Sequence, residues 1–192
     1  MRGVVVLLTA VALGHVAPAA FQPPATRIET QRETPISPEQ LKTAIDRLGT
    51  VDYPVRMAAA RTIRRAPATT VVPALIDAVA KHADGYVRFR SLVLLSGLND
   101  SRTHDVMVQA LSAPNDRLRA VGYAYFEHNL DPQLVPRMLE ALGPEQSETV
   151  RPALTRALAA YGTDSRVRDA LITLGFREDR GLSSREHLVL RR

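Results

Sequence analysis

The sequence predicts an all-α solenoid of about five stacked helical hairpins. Three observations support this fold class. Apolar residues recur at helical spacing, a short motif returns every 31 or 32 residues, and turn residues punctuate the chain at matching intervals. The composition agrees, because alanine, leucine, valine and arginine dominate, while aromatic residues make up only 5% of the 192 residues and tryptophan is absent.

The first 19 residues have the features of a signal peptide. Arg2 gives a positive start, residues 4–13 form an apolar run, and an Ala-Pro-Ala sequence ending at Ala19 offers a cleavage site. A membrane-spanning helix needs about 20 apolar residues, and Gly14 ends this run too early. We therefore predict cleavage after Ala19, no stable membrane anchor after cleavage, and a secreted or periplasmic, extracytoplasmic location.

Residues 20–37 are predicted to be a disordered Pro-rich linker, because they carry three prolines, several polar residues and no sustained period. The helical repeats are predicted to cover residues 38–176. Residues 177–192 are predicted to form an atypical C-terminal capping repeat. One further repeat length after Arg151, the position expected to hold arginine is Ser183 instead. Such a departure from the motif is typical of a terminal repeat.

The recurring motif is a Val-Arg or Leu-Arg pair. Its arginines are 32, 31 and 32 residues apart, at Arg56, Arg88, Arg119 and Arg151. Seven residues after each arginine stands a large apolar residue, in turn Ile63, Leu95, Phe126 and Leu158. One hairpin of this length cannot bury its own apolar faces, so the repeat indicates hairpins that stack on their neighbours.

The helices follow from this frame and from their end signals. Ser37 and Gln40 form a capping box around Pro38, Asp131-Pro132 has the same pattern, and glycines stand where helices should end. The first helices of the pairs are predicted near 38–48, 70–81, 102–112, 132–142 and 165–175. The second helices are predicted near 53–65, 86–97, 117–128, 149–161 and 183–190.

These residues resemble the bacterial HEAT repeat, also called the PBS-lyase-like HEAT repeat. The resemblance rests on an aspartate four residues before the arginine, a valine directly before the arginine and small residues after it, best seen from Asp52 to Ala60. Val72-Pro73-Ala74-Leu75-Ile76 resembles the first-helix motif of the family. The family implies a right-handed superhelix whose second helices line a concave face, which is usually a surface for binding proteins.

The recurring polar residues are predicted to form a structural ladder, in which each arginine contacts the Asp or Asn of the same or the next repeat. Its members are Asp52, Arg56, Asp84, Arg88, Asn115, Arg119 and Arg151. This assignment predicts that the substitution Arg88→Ala destabilises the protein more than Arg64→Ala does, because Arg64 is expected on a solvated face.

Residues that break the repeat are better candidates for partner binding. Arg61 and Arg64 have no counterparts in most other repeats, and Phe89 follows the recurring arginine at a position that can face outward. Arg156 is a further candidate for the concave groove. The histidines lack the spacing of a zinc site, and the chain has no cysteine, so no metal or cofactor is predicted.

The function that fits best is an exported, non-enzymatic scaffold that binds an unknown protein partner with its concave face. No nucleic acid partner is expected, since the formal charge is only +5. Two alternatives stay open. One is a small-molecule enzyme of the PBS-lyase-like HEAT branch, and the other is binding of an anionic ligand or nucleic acid through an Arg-rich face.

Overall fold

The structure, a computed structural model, describes residues 35–175. All regular structure in this range is helical: α1 (Pro38–Asp46), α2 (Tyr53–Arg65), α3 (Ala68–Lys81), α4 (Gly85–Leu95), α5 (Arg102–Ala110), α6 (Asp116–His128), α7 (Val135–Leu142), α8 (Val150–Ala159) and α9 (165–175). Short 3₁₀ turns follow α1 at Arg47–Gly49 and precede α7 at Pro132–Leu134. The prediction of an all-helical solenoid is confirmed, and each helix agrees with its predicted range to within a few residues.

Several predicted segments lie outside the described residues. They are the signal peptide at residues 1–19, most of the linker at 20–37, the capping repeat at 177–192 and the helix at 183–190. Within the described range, no helix combines the length and the apolar character that crossing a membrane requires.

The predicted start of α1 is confirmed in atomic detail. The Ser37 hydroxyl accepts a hydrogen bond from the backbone N–H of Gln40 at 3.2 Å, and the Gln40 side chain accepts one from the Ser37 N–H at 3.0 Å. Asp131 caps the turn before α7 in a related way, because its carboxylate accepts from the Gln133 N–H at 3.0 Å. These bonds satisfy backbone donors that a helix start leaves without partners.

The apolar columns of the repeat form a continuous core. The residues seven positions after the recurring arginine are fully buried, namely Ile63, Leu95, Phe126 and Leu158. Burial of each such side chain contributes roughly 1.5–3 kcal/mol. The valine before the arginine is also buried in later repeats, as at Val87, whereas Val55 is 39% exposed. Val87 packs beside Gly49 of the preceding hairpin, and Val55 has no preceding hairpin within residues 35–175.

Stacking joins helices of neighbouring hairpins. The most extensive contact of this kind is between α6 and α8, and α4 also rests on the 3₁₀ turn after α1. Within a hairpin, the most extensive contact is between α3 and α4. Gly49 in that turn allows the close approach. A Cβ atom there would lie 2.6 Å from Asp84 Oδ2 and 2.8 Å from Val87 Cγ2.

Candidate functional site

Arginines at the recurring position bind the loop that precedes their own helix. The Arg56 guanidinium donates through Nη1 to the carbonyl of Thr50 at 2.7 Å and to that of Val51 at 3.2 Å. Arg119 repeats the contact with the carbonyl of Ala113, six residues before it, at 2.9 Å. Helical side chains lean toward the N-terminus of their helix, so a long arginine there reaches loop carbonyls that need donors.

The same contact continues beyond the third repeat. Arg151 donates to the carbonyl of Glu145 at 2.9 Å, and Arg168 in α9 donates to that of Gly162 at 3.3 Å. Arg168 was not predicted at this position, because it follows Arg151 by 17 residues rather than by a full repeat. The local motif was nevertheless visible, since Val167 precedes this arginine and Asp164 stands four residues before it.

The predicted ladder, in which each recurring arginine contacts the Asp or Asn of the same or the next repeat, is wrong. The polar residue four positions before the arginine caps its helix instead, accepting a backbone N–H: Asp52 from Val55 at 3.1 Å, Asp84 from Tyr86 at 2.7 Å and Asn115 from Arg117 at 2.9 Å. Within residues 35–175, no ion pair joins Arg56 to Asp52 or Arg88 to Asp84. The cap turns the carboxylate into its own helix start, while the arginine leans back to the loop.

Arg119 also pairs with two carboxylates, that of Glu145 in the next hairpin and that of Asp116 in its own helix. Its Nε lies 3.0 Å from Glu145 Oε2, and its Nη2 lies 2.8 Å from Asp116 Oδ1. The side chains of Arg119 and Glu145 are only 18% and 11% exposed. Desolvation raises the pKa of Glu145, but the hydrogen bonds from Arg119 and from the Ser147 N–H together lower it by more. The net shift of the pKa is therefore downward. This network stabilises the stacking of two hairpins.

Arg88 holds the recurring position without these contacts. Among the described residues its guanidinium has no hydrogen-bond partner, and its Nε is buried. The loop before α4 is held by His82 instead. The His82 ring accepts the Asp84 N–H through Nδ1 at 3.0 Å, and its Nε2 lies 3.2 Å from Asp46 Oδ1 in α1. The loop is therefore organised without Arg88.

Two aromatic rings and two arginines gather at the starts of α4 and α6. The rings of Tyr86 and Phe89 have centroids 5.9 Å apart. The Arg90 guanidinium lies 4.9 Å from the Tyr86 centroid and 5.7 Å from that of Phe89, and the Arg117 guanidinium lies 5.6 Å and 6.0 Å from the same rings. These distances are in the range of cation–π interactions. We name these four residues the Arg–aromatic cluster.

The cluster is positively charged. Arg90 donates a hydrogen bond to the Tyr86 hydroxyl, and this bond, together with the charges of Arg90, Arg56 and Arg117, lowers the pKa of Tyr86. Across the described part of the chain, no carboxylate forms an ion pair with Arg88, Arg90 or Arg117. The surface thus presents cations and half-buried aromatic rings together.

The four predicted partner-binding residues do not come together. Phe89 belongs to the Arg–aromatic cluster and is half-buried. Arg61 lines a groove of about 810 Å³ between α1 and α2, whereas Arg64 is exposed and does not line it. Arg156 forms an exposed ion pair with Glu127, with 3.3 Å between Nε and Oε2. Only Phe89 is thus part of a cluster of aromatic and cationic groups.

Of the four cluster members, the sequence predicted only Phe89 as a binding residue, and Arg117 is the missed member that comes from a neighbouring hairpin. It stands two residues before Arg119, and Tyr86 stands two residues before Arg88. Equivalent positions of stacked hairpins are neighbours in space, so this shared register could have predicted the contact between Arg117 and Tyr86.

Comparison with protein families matches residues 41–125 to the family described as HEAT repeats. The matched segment begins in α1 and ends in α6, so it contains the whole Arg–aromatic cluster. Comparison with curated proteins gives no match.

Proposed function

We propose that this chain, which contains a HEAT-repeat domain, is a non-enzymatic scaffold that binds a protein partner at the Arg–aromatic cluster. HEAT repeats are generally scaffolds for protein interaction, and stacked repeats expose long surfaces suited to it. The second helices α4 and α6 carry the cluster, on the face that the resemblance assigns to the concave side.

The observation that carries the proposal is the composition of the cluster. Residues that dominate protein interfaces are enriched in tyrosine and arginine, and they cluster where aromatic groups are partly desolvated. Tyr86, Phe89 and Arg90 have no chemical counterparts at their positions in the repeats before and after. The repeat does not require these residues, which favours a role in binding over a role in stacking.

The proposed location is extracytoplasmic. Its support is the sequence of residues 1–19, with a positive start, an apolar run and a small-residue cleavage site. Detection of the mature N-terminus at Ala20 in the extracytoplasmic fraction would support this location. Recovery of the intact chain in the cytoplasm alone would contradict it.

The binding proposal is tested by comparing two variants of the full-length protein with a C-terminal affinity tag. Phe89→Ala removes an aromatic ring of the cluster, and Arg64→Ala removes an exposed residue outside it. After crosslinking in cells, we expect the wild-type protein and Arg64→Ala to capture the same protein, and Phe89→Ala to lose most of it. A truncated interface aromatic commonly costs about 2 kcal/mol, or roughly thirtyfold in affinity.

Two results would reject the proposal. One is capture of the same proteins in equal amounts by Phe89→Ala and Arg64→Ala. The other is the absence of any protein specifically crosslinked to the wild-type chain. Circular dichroism of both variants must show wild-type helix content, so that a loss of capture reports the surface rather than the fold.

A further inference from the structure

The arginines of the Arg–aromatic cluster differ from the paired arginines elsewhere in the described residues. Arg119 neutralises the largely buried carboxylate of Glu145. Arg90 and Arg117 lie over aromatic rings instead, and a ring leaves the positive charge in place. Charge of one sign at a binding surface selects a partner of the opposite sign.

The stacked geometry leaves suitable donors available. A guanidinium that lies over a ring covers one face, while the N–H groups at its edge point outward in the plane. A carboxylate accepts two of these N–H groups in parallel. The Arg117 side chain donates no hydrogen bond within residues 35–175, so its edge is open to such a contact.

A second set of donors borders the space over Gly85, the first residue of α4. A Cβ atom on Gly85 would lie 3.5 Å from Arg88 Nη2 and 3.7 Å from Asn115 Nδ2. The missing side chain therefore leaves a small space flanked by two N–H donors. Other repeats have Tyr53 or Asp116 at this position, so the space is particular to the repeat that carries the cluster.

We infer that the Arg–aromatic cluster binds an acidic peptide segment of the partner. One carboxylate places an oxygen over Gly85, next to Arg88 and Asn115, and a second carboxylate contacts the edge of Arg117. Apolar residues of the segment pack against Phe89. This inference rests on the proposed function, and it names the chemistry of the partner.

An acidic peptide fits this surface better than a nucleic acid. The donors cover only the starts of two helices, whereas a nucleic acid backbone needs a longer run of cations. Carboxylates of Asp84 and Asp116 stand at the same helix starts, and Asp116 is 49% exposed, so a continuous row of phosphates would meet repulsion. Separate carboxylates on a peptide avoid these groups.

The test measures binding of three fluorescein-labelled probes to the full-length protein by anisotropy. The probes are a short peptide with glutamates interspersed among leucines, the same peptide with glutamine in place of each glutamate, and a single-stranded oligonucleotide of similar length. We expect the Glu peptide to bind at least about tenfold more tightly than the Gln peptide, because the Arg–carboxylate bonds are lost. Its binding should weaken as salt is added.

The variants locate the peptide. Arg117→Ala removes a donor, and Gly85→Ala fills the space over the first residue of α4 without a clash, since its Cβ contacts are of ordinary van der Waals length. Each should weaken the Glu peptide about tenfold, while Arg64→Ala leaves it unchanged. The inference is overturned if the Gln peptide binds as tightly as the Glu peptide, or if Gly85→Ala and Arg117→Ala leave the affinity for the Glu peptide unchanged. It is also overturned if the oligonucleotide binds more tightly than the Glu peptide and is weakened equally by these two substitutions.

Failure of the inference is distinguishable from failure of the proposed function. If the Glu peptide does not bind but cellular capture still depends on Phe89, the cluster binds a protein of another chemistry and the inference alone is wrong. If capture is independent of Phe89, the proposed function is wrong whatever the peptide does.

Discussion

Arg119 and Arg88 hold the same position in neighbouring repeats, but their surroundings differ. Arg119 donates to the carbonyl of Ala113 and pairs with Glu145. Arg88 makes neither kind of contact within residues 35–175, and its Nη2 borders the small space over Gly85. A recurring arginine thus keeps its loop contacts in one repeat and lacks them in the next, and the arginine that makes no loop contact is available for binding.

The reason for the difference lies in the preceding loops. Before α6, the carbonyls of Ala113 and Pro114 receive their donors from Arg119. Before α4, the ring of His82 connects the Asp84 N–H with the Asp46 carboxylate. In one loop an arginine side chain thus donates to two carbonyls, and in the other a histidine side chain bridges a backbone N–H and a carboxylate.

The largest expected effect on stability separates the two arginines directly. Arg119→Ala should lower the free energy of unfolding by about 2 to 4 kcal/mol, because it removes loop bonds and leaves Glu145 without its cationic partner. Arg88→Ala should cost less than about 1 kcal/mol, because the Arg88 guanidinium makes no hydrogen bond within residues 35–175. The sequence-based prediction that Arg88→Ala destabilises the protein more than Arg64→Ala does stays a prediction, which the same measurement tests. Urea unfolding of the three variants measures the differences.

The pH dependence gives an independent check of the Arg119 contact. The folded pKa of Glu145 is lowered from 4.5, so its contribution to stability is present above that pH and is lost as the pH falls through the folded pKa. The stability difference between wild type and Arg119→Ala should therefore shrink in acid. A difference that stays constant from neutral pH to acid would show that Glu145 is not the partner that matters.

A substitution at Gly49 probes how the loop before α4 is supported. Gly49→Ala places a methyl group 2.6 Å from Asp84 Oδ2 and 2.8 Å from Val87 Cγ2, so the cap and the buried valine must both shift. We expect a loss of about 1 to 3 kcal/mol, typical of overpacking, measured by thermal unfolding. Gly143→Ala is the matched control, because its Cβ meets nothing within 4 Å. Equal effects of the two substitutions would contradict the close approach.

His82, which holds the loop before α4, should contribute less to stability than Arg119 does. His82→Ala removes one accepted backbone N–H and one contact with Asp46, and we expect a loss of about 1 kcal/mol. If His82 does organise the loop, the double variant with Arg88→Ala should lose no more than the two single variants added together. A larger loss in the double variant would show that Arg88 supports the loop after all.

The smallest expected effect is at the exposed ion pair between α6 and α8. Arg156→Ala should change stability by less than about 0.5 kcal/mol, because the Arg156 side chain is 57% exposed and solvent screens the pair with Glu127. Differential scanning calorimetry beside Arg119→Ala provides the measurement. A loss as large as that of Arg119→Ala would mean that solvent exposure does not determine how much each of these arginines contributes to stability.

Much of the fold could be predicted because one physical pattern repeats. The spacing of Ile63, Leu95, Phe126 and Leu158 defined the core column, and all four side chains are fully buried. The capping box of Ser37 and Gln40 likewise predicted the start of α1. Both signals depend on neighbours along the chain or on a fixed period, and these are visible in a sequence.

The contacts of the candidate site were harder to predict, because they depend on which of two directions a side chain takes. The Asp–Arg ladder failed because Asp52 turns into its helix while Arg56 turns away to the loop. Phe89 was identified from its break with the repeat, but its stacking with Arg117 depends on how neighbouring hairpins align. The spacing of the motif shows which residues hold equivalent positions in successive repeats, but it does not show the direction that each side chain takes.

Hydrogen–deuterium exchange of the full-length protein with and without its captured partner shows directly whether the Arg–aromatic cluster is the binding surface. We expect partner binding to slow exchange in the first turns of α4 and α6, around residues 85–90 and 116–121, and to leave α7 unchanged. Slowed exchange confined to α1 and α2, beside the groove that Arg61 lines, would place the partner elsewhere and contradict binding at the cluster.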